Sequence, residues 1–260
     1  MDALVIPEIE TLKLFLLVMV RVSGLIVSAP VLGSNNFPVV AKIGLTALTA
    51  MLITPTLAAL DDSLPSDPVP FAMLAAGELL IGLIMGFVMT LVFAAIQVGG
   101  QIMDMQTGFG MMNVFNPAFE TQYPIFGFFF FIIAVLCLLA TYGHHTMIRA
   151  LVSTYERIPV GGFVARPELL LEVSRWGRVM FVDGLMIAAP VAGSMLLAYV
   201  TLGLLGRVVP QIHLFVVGFP ITIATGLFVV AFVIEVYVRI LDGMFYRMFR
   251  SVAVMINGMS

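Results

Sequence analysis

Between Asp67 and Asp104 the chain carries a single charged side chain, Glu78. A helix needs about 20 apolar residues, rising 1.5 Å each, to cross about 30 Å of hydrocarbon. The core of this run, residues 71–103, exceeds one crossing, and no water-facing surface can be built from it. Five more apolar runs obey the same logic: residues 14–32, 39–60, 124–142, 179–205 and 208–234. They are too long for barrel strands and do not alternate. The expected fold class is all-α and integral membrane in type, built from kinked helical hairpins. Pro30, Pro55, Pro190 and Pro220 fall inside these runs. Proline removes a backbone donor, so each predicts a kink that neighbouring helices must repair. The overlong 71–103 run predicts a re-entrant hairpin or half-spans buried in protein.

Composition excludes the other classes. Apolar residues make up 61% of the chain and charged residues 10%, against about 45–50% and 25% in soluble domains. So few charges cannot coat a soluble surface, and disorder requires the opposite balance. A net charge of −3 leaves no basic footprint for nucleic acid. The acidic start (Asp2, Glu8, Glu10) does not suit a signal peptide. Cys137 is the single cysteine, so no disulfide or cysteine metal site forms within the chain. His144 and His145 are adjacent and diverge by about 100° on a helix, and His213 stands alone. With no zinc, phosphate-loop or nucleophile motif, no metal, cofactor or enzymatic activity is expected.

The connecting segments conflict over orientation. Residues 61–70 are acidic without Lys or Arg, whereas residues 144–178 form the only long polar stretch and hold five arginines. Six alternating spans put both on one side, against the positive-inside rule. Simple spans therefore fit poorly, and much of the apolar surface is expected to be covered by other subunits.

Three groups of residues stand out. Arg21, Glu78 and Asp183 are ionisables in or beside apolar runs, where a charge costs roughly 2.5–3.5 kcal/mol on insertion scales. They read as interhelical pairs (Arg21 with Glu78), as snorkelling side chains, or as a proton or ion path. Gly24, Pro30, Gly77, Gly82 and Gly86 are small or kinking residues suited to close helix packing, within the chain or with a partner. Residues 24–34 and 184–194 (GLIVSAPVLGS and GLMIAAPVAGS) agree at seven of eleven positions, and each is expected to place a proline mid-helix. The third group is the segment 104–123, where Gly108, Phe109, Gly110, Met111, Met112, Phe115 and the turn Asn116-Pro117 combine flexibility with soft apolar side chains. It reads as a gating loop or as an interfacial loop with aromatic anchors. A tight hairpin is expected around Arg207, Pro210 and Gln211, with Pro210 opening its second helix.

Together these segments resemble the export-gate family of the flagellar FliR proteins and their counterparts in virulence type III secretion. Arg21, Ser23 and Gly24 with Pro30, Gly33 and Pro38 look like its N-terminal pattern. Gly77-Glu78 with Gly82 and Gly86 resembles its second motif, and Gly100-Gln101, Gln106, Gly108 and Asn116-Pro117 its central loop. Gly143-His144 and the run Leu202-Gly203, Pro210-Gln211, Phe215, Gly218 and Pro220 complete the match. His213 stands where the family has Asn, and Asn116 where Asp is expected. The resemblance implies a non-enzymatic subunit of the bacterial inner-membrane export apparatus at the flagellar basal body. It implies assembly with P- and Q-type gate subunits and with the autocleaving switch protein, and passage of unfolded export substrates. On that reading residues 1–178 are P-like and residues 179–260 form a Q-like hairpin and tail. Loop 104–123 plugs the pore, Phe109, Met111, Met112 and Phe115 line it when closed, and the 207–211 turn faces the cytoplasm. The Gly- and Pro-broken helices leave a small secondary transporter or channel component as the alternative, and a purely structural scaffold as a third possibility.

Overall fold

The computed structural model describes residues 7–34, 36–57, 64–110, 124–164, 167–211 and 214–259. Among the described residues there are seven α-helices and no strand: α1 (Pro7–Ser28), α2 (Val39–Leu57), α3 (Pro68–Thr107), α4 (Ile125–Ala140), α5 (Gly143–Arg157), α6 (Pro167–Val208) and α7 (Leu214–Gly258). Five of them, α1, α2, α3, α6 and α7, are long and apolar enough to cross a membrane, and the broken pair α4 and α5 can count as a sixth. The all-α membrane class is thus what the apolar runs demand.

Several local expectations change. The 71–103 run is no hairpin, because α3 continues through all 40 residues from Pro68 to Thr107. It holds no proline beyond its first turn, and glycine alone costs only about 1 kcal/mol within a helix, which packing offsets. Pro55, Pro190 and Pro220 do lie inside helices. Pro30 does not, since α1 ends at Ser28. Pro210 does not open a helix either; it sits in the turn after Val208, and α7 begins at Leu214. The polar 144–178 stretch is also not a loop, because α5 and the first turns of α6 occupy most of it.

Just past α1, Val31 adopts a left-handed φ of +69°. For a β-branched residue this costs roughly 1–2 kcal/mol. Val31→Gly is expected to raise stability by about 1 kcal/mol, read as a higher thermal unfolding midpoint of the purified protein.

The chain forms two compact units, each discontinuous in sequence. The first holds residues 1–90, 142–175 and 246–260. Its axis is the seam between α1 and the first half of α3. Arg21 meets Glu78, Gly24 meets Gly82, and Ser28 meets Gly86. The nearly constant offset means that the two helices run parallel. The approach is backbone to backbone: a Cβ on Gly82 would collide with the Arg21 carbonyl and lie 3.0 Å from the Gly24 Cα. Thr90 Oγ1 donates to the Ser28 carbonyl at 2.6 Å and closes the far end of the seam. Helix α5 buries Met147, Leu151, Thr154 and Tyr155, a helical stripe at i, i+4, i+7 and i+8. Val22, Leu25, Leu45, Thr49, Met147 and Leu151 line a cavity of about 20 Å³ among α1, α2 and α5.

The second unit holds residues 91–141 and 176–245. Within it α6 and α7 form an antiparallel hairpin. Leu202 lies beside Gly218, Met195 beside Gly226, and Pro190 and Val191 share a small cavity with Val230. The end of α3 and the start of α4 also run antiparallel, meeting at Gly100 and Gly127. Large apolar side chains stay exposed in both units, such as Val40 at 82% in the first and Phe232 at 81% in the second. Faces of this kind require lipid or another protein against them.

Candidate functional site

Two constellations carry the polar chemistry. The first is centred on Arg21, in the first unit, which is fully buried together with Glu78. Arg21 Nε donates to Glu78 Oε2 at 2.5 Å and Nη2 donates to Oε1 at 3.0 Å, a two-pronged pairing that suits the planar guanidinium. Arg21 Nη1 also donates to Thr154 Oγ1 at 2.9 Å, and both terminal nitrogens donate to the Ile158 carbonyl at 3.2 Å. The guanidinium carbon lies 4.0 Å from the centre of the Tyr155 ring, a cation–π placement. Glu78 Oε1 accepts a further bond from the Gly161 N–H at 2.8 Å. The pair therefore ties α1 and α3 to the end of α5 and the turn after it. Gly161 has φ of +80°, and a Cβ added to Gly77 would lie 3.3 Å from the Phe163 Cβ, so the turn sits directly on α3. Desolvating two charges is costly unless their remaining hydrogen-bonding groups are filled. Thr154, Ile158 and Gly161 fill them.

The second constellation is the root of the central loop, in the second unit. Asp104 is 3% exposed in the last turn of α3. Its Oδ1 and Oδ2 accept the Phe126 N–H at 3.1 and 3.2 Å. The end of α3 is fixed from two other helices. Tyr199 of α6 donates its hydroxyl to the Gln106 carbonyl at 2.5 Å, and Thr222 of α7 donates to the Thr107 carbonyl at 3.0 Å. The last carbonyls of a helix lack partners within it, and these hydroxyls supply them. The chain then turns at Gly108, whose φ is +92° and which lies against the Phe219 ring. A side chain there would be strained twice, by backbone conformation and by contact. Phe109 sets its ring edge-on to Phe126, with 5.4 Å between centroids. Departing and returning ends of the loop therefore share one anchor.

Of the residues singled out in sequence, Arg21 and Glu78 are brought together, and Gly24, Gly82 and Gly86 form the seam beside them. Pro30 stands apart, beyond α1. Gly108, Phe109 and Gly110 lie at the loop root, whereas Met111, Met112, Phe115, Asn116 and Pro117 fall outside the described residues. Asp183 is buried in α6. Arg207 lies in the last turn of α6, where a cation suits the helix dipole, and Pro210 and Gln211 come next in an exposed turn.

Sequence reading missed Thr154, Tyr155, Tyr199 and Thr222, and did not assign Asp104 to a site. The α5 stripe was detectable from its periodicity. The hydroxyl caps were not, because lone Tyr and Thr residues on apolar helices carry no pattern.

Residues 12–248 match the family described as bacterial export proteins, family 1. The flagellar biosynthetic protein FliR of Escherichia coli (strain K12) is 33% identical over 251 residues, spanning 95% of this chain and 94% of that protein. FliR of Bacillus subtilis (strain 168) is 31% identical over 223 residues, spanning 84% and 85%. FliR of Aquifex aeolicus (strain VF5) is 31% identical over 164 residues, 62% of each chain. The matched stretch takes in the α1–α3 seam, the loop root and the hairpin turn, and this chain belongs to the bacterial export proteins, family 1.

Proposed function

We propose that this chain is a subunit of the flagellar type III protein export gate in the bacterial inner membrane. Residues 104–107, expected to belong to the loop, are instead the last turn of α3. In this reading the segment that follows, 108–123, helps close the pore to ions until an unfolded substrate passes. Family membership and the FliR relatives support the export role. The pore-closing role rests on one observation: the loop is rich in Met and Phe, and both its ends are held at the buried Asp104. Soft, adaptable side chains suit a seal that must yield to chains of varied sequence. The partners are P- and Q-type gate subunits, for which the exposed apolar faces provide surface, and the autocleaving switch protein. Residues 1–178 act as the P-like region and residues 179–260 as the Q-like hairpin and tail, in keeping with the antiparallel α6 and α7. Its role is structural and not catalytic. Arg21 and Glu78 do not favour a secondary transporter's proton or ion path, because both are already engaged by protein groups.

The test is in-frame shortening of residues 108–119 in cells that rely on this chain for motility. The expected result is ion leakage and poor growth while the gate still assembles with its partners. A tight membrane with normal growth would sink the pore-closing role.

A further inference from the structure

We infer that Asp104 is the positioning residue that latches the central loop, holding its returning end against its departing end. The inference rests on the proposed pore-closing role for its meaning, but not for its geometry. Asp104 lies at the C-terminal end of α3, where the helix dipole presents partial negative charge and disfavours a carboxylate. Its partner lies instead at the N-terminus of α4, where free N–H groups and partial positive charge favour one. The α4 N-cap residue is Pro124, which makes no side-chain cap bond. Asp104 supplies that cap from another helix, with both oxygens within 3.2 Å of the Phe126 nitrogen. Among the described residues no cation pairs with it.

Division of labour around the loop supports a latch. Among the described residues, Tyr199 and Thr222 bind the departing end of the loop, at Gln106 and Thr107. Among the described residues, Asp104 makes the polar bond that joins the two ends, aided by the Phe109–Phe126 ring contact. Release of α4 from Asp104 therefore frees the return of the loop while α3 stays capped. A buried carboxylate with backbone N–H partners gives a strong yet small tie, since charge-assisted bonds are about twice as strong as neutral ones. That suits a contact that must hold at rest and part under load.

The experiment uses the assembled gate in membranes. Cys137 is replaced by Ser and Gly110 by Cys, giving one thiol at the loop root. A Cβ at Gly110 meets nothing closer than 3.8 Å, so this reporter fits. Its labelling rate by a polar maleimide is compared for Asp104, Asp104→Asn and Asp104→Leu, with the exposed neighbour change Met105→Leu as control. Asp104→Leu is expected to speed labelling about tenfold, the factor that corresponds to 1.4 kcal/mol. Asp104→Asn keeps one acceptor oxygen but not the charge and is expected to give about threefold. Met105→Leu leaves the rate unchanged. Equal labelling for Asp104, Asn and Leu at normal protein levels overturns the latch. If the Leu variant fails to accumulate, unchanged labelling of the Asn variant overturns it alone. A leaky membrane on shortening residues 108–119, with labelling indifferent to position 104, defeats the latch and spares the pore-closing role. A tight membrane with labelling that responds to position 104 does the reverse.

Discussion

Arg21→Leu is expected to destabilise the protein by about 3–5 kcal/mol, the usual cost of removing one partner from a buried ion pair. The loss is large because Glu78 would remain as a fully buried carboxylate whose hydrogen-bond partner among the described residues is the Gly161 N–H. Thr154 and the Ile158 carbonyl would lose their donor too, so the turn after α5 would loosen from α1 and α3. Arg21→Lys is expected to fall between, since a single ammonium cannot reproduce the fork that spans Glu78, Thr154 and Ile158. The double change Arg21→Leu with Glu78→Met should recover most of the stability, because it leaves no charge unpaired. Thermal unfolding midpoints of the detergent-purified protein measure all three. A single Arg21→Leu variant as stable as the parent would show that the buried pair holds nothing together.

Gly100→Ala is the second large effect. A Cβ at Gly100 would fall on the backbone of Gly127, close to its N and Cα, and lie 3.0 Å from the Phe126 carbonyl carbon. Backbone atoms cannot rotate away as a side chain can, so α3 and α4 must separate. Strain of this overpacked kind costs about 1–3 kcal/mol. The same movement would draw Asp104 from Phe126, one helical turn further along α3. Gly203→Ala, in α6, is the contrast: nothing lies within 4 Å of its added Cβ, and alanine gains about 1 kcal/mol of helix propensity. Unfolding midpoints of the isolated chain should therefore move down for Gly100→Ala and up for Gly203→Ala. Both variants shifting in the same direction would refute the close α3–α4 contact.

The two near-identical eleven-residue stretches show where sequence reading reaches its limit. Residues 24–34 and 184–194 share seven identities, including the proline. The first copy ends α1 at Ser28 and passes Pro30 into a left-handed Val31. The second runs straight through Pro190 inside α6. The residues just downstream of each copy differ: Asn35, Asn36 and Pro38 favour a turn, whereas Met195, Leu196, Leu197 and Ala198 favour helix. Local identity therefore did not set local structure. Likewise the polar α5 was hidden from a search for apolar runs, although its buried stripe repeats at helical spacing.

The sequence alone determined the class of solvent and the class of fold. Runs of 20 or more residues with almost no charge leave only helices as a way to satisfy every backbone group away from water. Its glycine, proline and polar spacings were also enough to point to the export family. The tertiary structure alone decided which polar residues meet. Arg21 and Glu78 lie 57 positions apart, and Asp104 and Phe126 lie 22 apart. Nor does any periodicity place the Tyr199 hydroxyl on the end of α3. Hydrophobic burial is non-directional and can be read from composition. A hydrogen bond needs its atoms within about 3 Å and properly aimed, and only the packed helices bring them there.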